Sequence, residues 1–188
     1  MKYFVIFGLA LLSLAWLGCN REPYYLYLAH KLRDQYIADV TRDGRFRLEA
    51  IGGAMADDIQ KFNIGFGTVA SPTVEQARVE FVTKAEEFLQ RVNSWEEIRP
   101  YLHDYPATIK NFGLTLTFRS PSGRFSVGPE TVAYVSTAYG TVFYSRDNPT
   151  TKRLRLEDIH SEPYEEALRI VRQQHLELLH SGGGTTST

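Results

Sequence analysis

The segment Arg99-Pro100-Tyr101-Leu102-His103-Asp104-Tyr105-Pro106 places a guanidinium, an imidazole, a carboxylate and two phenols between two prolines. Such a mixture on a connecting segment can hold an anion or a peptide, or move a proton through histidine, whose ordinary pKa lies nearest neutrality. His103 and Asp104 are sequence neighbours that point apart, and no nucleophile is identified beside them, so they do not define a catalytic dyad. Arg99, Tyr101, His103 and Asp104 are therefore read as a candidate binding loop with no catalytic residue assigned. The plainer alternative is an ordered connection with packed tyrosines. His175 falls on the apolar stripe of the last helical pattern, as a candidate ligand or acid/base group or, more simply, a core or rim histidine. His175 and His180 stand about 140° apart around a helix and cannot share a metal as an i, i+4 pair does. Gly65-Phe66-Gly67 could cradle a phosphate at a helix start, but no third glycine and no Gly-Lys-Ser/Thr follows, so close packing is the better account. The adjacent acids Asp57-Asp58, Glu96-Glu97 and Glu165-Glu166 diverge by about 100° on a helix and make no carboxylate pair. No metal and no cofactor is expected from these residues, nor is there a Gly-x-Ser-x-Gly elbow or a His-Glu-x-x-His.

The one cysteine has a different chemistry. Met1 and Lys2 supply positive charge, Tyr3 to Leu17 is an almost unbroken apolar run, and Leu17-Gly18-Cys19-Asn20 closes it. Fifteen residues rise about 22 Å as a helix, short of the roughly 30 Å hydrocarbon core, which disfavours a permanent span and favours a cleaved leader. Leu17-Gly18-Cys19-Asn20 resembles the lipobox of bacterial lipoproteins, with Trp16 departing from the leucine usual three places before the cysteine. The resemblance implies that Cys19 is the lipidation site and becomes the acylated N-terminus with three acyl chains. Lipidation also disposes of a lone thiol in an exported chain, and more than one acyl chain is what stable anchoring needs. Asn20 is not the aspartate that marks inner-membrane retention in enteric-type sorting, so the outer membrane, periplasmic side, is the default location. Beyond these residues the chain resembles no characterised family.

Composition agrees with one folded unit: 188 residues, 43% hydrophobic, 13% aromatic and 23% charged. About 170 residues remain after the leader, enough to bury a core without disulfides or a structural metal. The net charge of −1 gives no sign of a nucleic-acid partner.

The elements that must position the loop follow from periodicity. Tyr25, Leu28, Leu32, Tyr36 and Val40 recur at helical spacing from about Pro23. Tyr24, Tyr25 and Tyr27 fit either an interfacial aromatic belt or packing on the core, the latter being favoured. Arg45 to Ile51 suits a strand or a helix face, and Gly52-Gly53 is expected to break it. Phe62, Ile64 and Phe66 alternate with Asn63, Gly65 and Gly67, a strand with a bare face open to another element. Ser71-Pro72 is read as the start of a long helix bearing Val74, Ala77, Phe81, Ala85, Phe88 and Val92. A break near Asn93, a capped turn from Ser94 and a stop at Pro100 follow. Phe112 to Ser145 reads as an antiparallel meander with turns at Ser120-Pro121-Ser122-Gly123 and Tyr139-Gly140. The last helix is placed after Ser161, with Tyr164, Leu168, Val171, His175 and Leu178 on one stripe.

The resulting expectation is a signal peptide over 1–18, a lipid-anchored tether over 19–22, a single α+β domain over 23–180 and a flexible tail over 181–188. The domain is a mainly antiparallel sheet with helices packed on one face. A non-enzymatic module that binds another envelope protein or a peptide leads, and a small envelope hydrolase with a His/carboxylate site is the alternative.

Overall fold

The computed structural model describes residues 22–125, 128, 130–148 and 155–182. The leader, Cys19, most of the tether and residues 183–188 lie outside these residues. The described elements are α1 (Tyr24–Thr41), β1 (Phe46–Ala54), β2 (Lys61–Val69), α2 (Val74–Ser94), β3 (Phe112–Arg119), β4 (Tyr134–Ala138), β5 (Thr141–Asp147), β6 (Leu156–Pro163) and α3 (Tyr164–Gly182). The six strands form one sheet in the order β1-β2-β3-β4-β5-β6. The architecture is α+β with a mostly antiparallel sheet. Its one parallel pair, β2 with β3, is the pair joined by the α2 crossover.

Alternation decides which sheet face is covered. Phe62, Ile64 and Phe66 of β2 oppose Phe112, Leu114 and Leu116 of β3 in register, and all six are buried. The helical stripes join them in one core: Leu28, Leu32 and Tyr36 of α1, Phe81, Ala85 and Phe88 of α2, and Tyr164, Ala167 and Leu168 of α3. At its centre Phe88 stacks on Phe112 with ring centroids 4.0 Å apart, and Tyr36 meets Phe88 edge-on at 5.1 Å. Tyr36 is wholly buried and its hydroxyl donates to the Lys84 carbonyl at 2.8 Å, which answers the polar atom of an otherwise apolar anchor.

Several local expectations are corrected. Gly52-Gly53 does not break β1, which pairs with β2 through Ala54. A Cβ on Gly53 would lie 2.6 Å from the Lys61 carbonyl, so glycine is what lets the strands stay together there. The bare side of β2 is filled by side chains of its neighbouring strands, for Glu49 lies over Gly67, and Ala50 and Thr115 close on Gly65. The cap of α2 is Thr73, reciprocally bonded with Gln76, and not Ser71, because the Pro72 carbonyl accepts the Val132 N–H and keeps that segment in the fold's edge. Pro100 sits inside a 3₁₀ turn, Arg99–Tyr101, rather than ending a helix. Ser161 and Glu162 belong to β6, paired with Phe143 and Val142, so α3 starts two residues later than expected. α3 also runs to Gly182, two residues into the stretch read as tail. The two turns of the meander stand as expected: the Gly123 N–H donates to the Ser120 carbonyl at 2.9 Å, and Tyr139 and Gly140 both take positive φ.

Candidate functional site

The candidate loop follows α2 and is tied to the β1–β2 connection by two backbone bonds. The Ile59 N–H donates to the Tyr101 carbonyl at 2.8 Å, and the His103 N–H donates to the Ile59 carbonyl at 3.0 Å. This docking brings Asp58 under the imidazole, and His103 Nδ1 lies 2.6 Å from Asp58 Oδ2. The histidine's carboxylate partner is thus 45 positions away in sequence and is not Asp104. The Asp58 bond and its negative charge raise the His103 pKa, and the imidazole in turn holds the Asp58 carboxyl below its ordinary value.

The remaining candidates disperse to separate partners. The Arg99 guanidinium lies over the Tyr105 ring, 4.6 Å from its centroid. Tyr101 stacks on Tyr25 and meets Tyr24 edge-on, each at 6.3 Å. Asp104 accepts from the Asn111 amide at 2.7 Å. Arg99, Tyr101, His103 and Asp104 therefore share a loop without sharing a point at which one ligand atom meets them all. His103 and Asp104 are exposed, and no hydroxyl or thiol bonds the imidazole among the described residues. A proton could pass between His103 and Asp58, and among the described residues no nucleophile is hydrogen-bonded to the imidazole.

His175 is a rim histidine and not a core one. It is exposed on α3, at the rim of a groove between α2 and α3. The N-terminal turn of α3 lies beside Leu89 and Asn93, and its later residues lie beside Val79 and Val82. Leu168 is buried where the helices meet, whereas Leu176 and Leu178 are 54% and 69% exposed. The groove is lined on its apolar side by Val79, Val82, Leu168, Val171, Leu176 and Leu178, and its volume is about 830 Å³. Glu86 also lines it, accepting from Tyr164 at 2.8 Å and from Arg172 at 3.1 Å.

One polar group missed in sequence lies under the sheet edge. Arg78 Nε and the Tyr144 hydroxyl both donate to Glu162 Oε1 at 2.7 Å, with the Arg78 and Glu162 side chains 9% and 7% exposed. Burial pushes the Glu162 carboxyl up, but the guanidinium and the phenol outweigh it and hold the group below its ordinary value. Burial pushes the Tyr144 phenol far above its ordinary value. The available signal was position: Arg78 stands four after Val74 and three before Phe81, on the stripe that α2 buries. Its bonds are satisfied within the fold, which makes this a structural lock rather than a site. Among the described residues no group of three His, Cys, Asp or Glu side chains could hold a metal ion, and no helix is long and apolar enough to cross a membrane. No protein-family model, curated protein or solved structure matches the chain.

Proposed function

We propose that the protein is a lipid-anchored bacterial envelope protein whose domain is a binding module for another envelope protein or peptide. It would be tethered through Cys19 at the outer membrane, on the periplasmic side. The observation that carries the binding reading is the α2–α3 groove. A two-helix trough with an apolar floor and polar rims fits a third amphipathic helix, laid in through residues spaced three and four apart. Exposed leucines at this density on one helix end are costly in water unless something covers them. The polar rim, Glu86, Gln90, Arg172 and His175, would set the register of the incoming helix.

The test is a photo-crosslinking residue placed at Leu178 or, as control, at Tyr139, in cells that make the full chain. A partner identified from Leu178 and not from Tyr139, whose purified form binds Leu176→Glu at least about tenfold more weakly, supports the proposal. A partner that crosslinks equally from both positions, or that binds Leu176→Glu undiminished, overturns it.

A further inference from the structure

The tyrosines at the start of α1 are divided between core and water by the helix period, Tyr25 falling on the stripe with Leu28 and Leu32 and Tyr24 and Tyr27 falling off it. Tyr25 turns inward, stacking on Tyr101 and donating its hydroxyl to the Ala56 carbonyl. Tyr24 and Tyr27 stack on each other with centroids 6.1 Å apart, and they remain 51% and 50% exposed. Tyr105, on the adjoining loop, is 50% exposed beneath the Arg99 guanidinium. Trp95 lies beside this group, with Lys31 over its ring at 5.4 Å. The end of the domain formed by α1's first turn and the 99–105 loop therefore presents half-wet phenols, each with an apolar ring body and a polar tip. Such side chains partition to the headgroup level of a bilayer.

On the anchored reading, the length of the tether says what lies against this end. The apolar run Tyr3 to Leu17 stops seven residues before Tyr24. Five residue steps from Cys19 to Tyr24 reach at most about 18 Å when fully extended. Acylated at Cys19 or left uncleaved, the chain enters α1 from the membrane side, and this face cannot leave the interface by more than that span. A tether so short holds the face at an effective concentration on the order of millimolar or above, so even weak contact with headgroups is populated.

We propose that Tyr24, Tyr27 and Tyr105 form a membrane-seating face that docks on phospholipid headgroups and orients the domain on its bilayer. This rests on the anchored reading above. The surrounding charges have both signs, with Lys31 and Arg99 set against Glu22, Glu97 and Asp104. Seating therefore depends on the rings and not on attraction to anionic lipid, and zwitterionic headgroups suffice. The consequence is directional: α3's exposed leucines lie toward the Val79 end of α2, away from the seated end, and the groove opens toward the aqueous side.

The test uses the full protein as made by the cell, reconstituted in vesicles of phosphatidylethanolamine and phosphatidylcholine and recovered by flotation. A water-soluble tyrosine-modifying reagent reads Tyr27 against a Val69→Tyr reporter, placed where the native side chain is 64% exposed at the opposite end of β2. Exposure alone leaves Tyr27 within about twofold of the reporter, whereas a seated face makes it about tenfold slower or more, unchanged by high salt. The same chemistry carried on a tracer lipid headgroup should reverse the preference, marking Tyr27 and Tyr105 and sparing the reporter. Flotation with only a twofold difference overturns the seating face and leaves the anchor standing. Protection of Tyr27 without headgroup labelling also overturns it, because protein and not lipid then covers the face. Failure to float overturns the anchor and the seating face together.

Discussion

Replacing Arg78 by methionine strands a carboxylate inside the protein. Glu162 keeps its burial and loses the Nε–H donor at 2.7 Å, and the Tyr144 hydroxyl remains its one close partner. Breaking a buried ion pair from one side costs about 3–5 kcal/mol, because the surviving charge has neither water nor its counter-ion. His160 lies 3.5 Å from Glu162 Oε2 at the wet side of the network and can offset part of this, which puts the expectation near the lower limit, about 3 kcal/mol. At about 2–4 °C per kcal/mol for a domain of this size, the melting temperature falls by roughly 10 °C.

The pH dependence separates this mechanism from simple loss of packing. In the native protein the Glu162 carboxyl is held below its ordinary value, so its contribution is complete above the unfolded value of about 4.3 and is lost only as pH falls through the lower folded value. Without Arg78, burial dominates and raises the same carboxyl. The variant then takes up a proton as pH falls and sheds its stranded charge. The difference between the two proteins should shrink from about 3 kcal/mol at pH 8 to about 1–2 kcal/mol at pH 5, read by urea unfolding with far-UV circular dichroism. The double variant Arg78→Met/Glu162→Leu should recover part of the loss at pH 8. A cost under about 1 kcal/mol at pH 8, or an equal cost at both pH values, would refute the account of this network.

Three further outcomes are expected. In Asp58→Asn the His103 pKa, followed by the ring-proton NMR shift, returns toward about 6.5; because the native value is raised, the pair's contribution is complete at low pH and lost as pH rises through that value, and an unmoved titration would show the bond absent in solution. Phe88→Ala removes the ring between Tyr36, Phe62 and Phe112 and should cost about 3–5 kcal/mol in urea unfolding, with a cost under about 2 kcal/mol contradicting the central stack. Intact-mass spectrometry of membrane-extracted protein should find an acylated N-terminal Cys19, and Cys19→Ala should abolish both the added mass and the cleavage; an unmodified Cys19 in the wild type rejects the anchor.

Residues with strong periodicity declared themselves. The α1 stripe through Tyr36, the α2 stripe through Phe88 and the Phe112 to Phe118 alternation each became the element expected, because each buries a single face on the core. β6 was illegible for the opposite reason. As an edge strand it buries Glu162 and little else, so Leu156-Glu157-Asp158-Ile159-His160-Ser161 carries no apolar alternation, and the acids after Ser161 imitate a helix start. The partner of His103 was hidden because a contact across 45 residues leaves no periodic trace in one sequence. The α3 stripe was visible, yet its meaning was not: Leu168 and Leu178 are alike in sequence, and only the position of α2 buries one and exposes the other.

α2 links both proposed surfaces. Its crossover between β2 and β3 fixes it on the sheet through Phe81, Phe88 and Val92, leaving one flank for α1 and another for α3. Toward its C-terminal end stand the Tyr24–Glu97 bond and the phenols of the proposed seating face. Toward its N-terminal end stand Val79 and Val82, across from the leucines that α3 leaves uncovered. Val79 to Ser94 is fifteen steps, about 22 Å at helical rise. On these two proposals a rigid helix of that length would convert seating at one end into a fixed standoff at the other, so that a partner's helix would be met clear of the headgroups. Loss of the seating tyrosines should therefore leave the groove's affinity for a soluble partner intact and reduce capture of a partner that is itself held in a membrane, a separation that a lipid tether without a seating face would not produce.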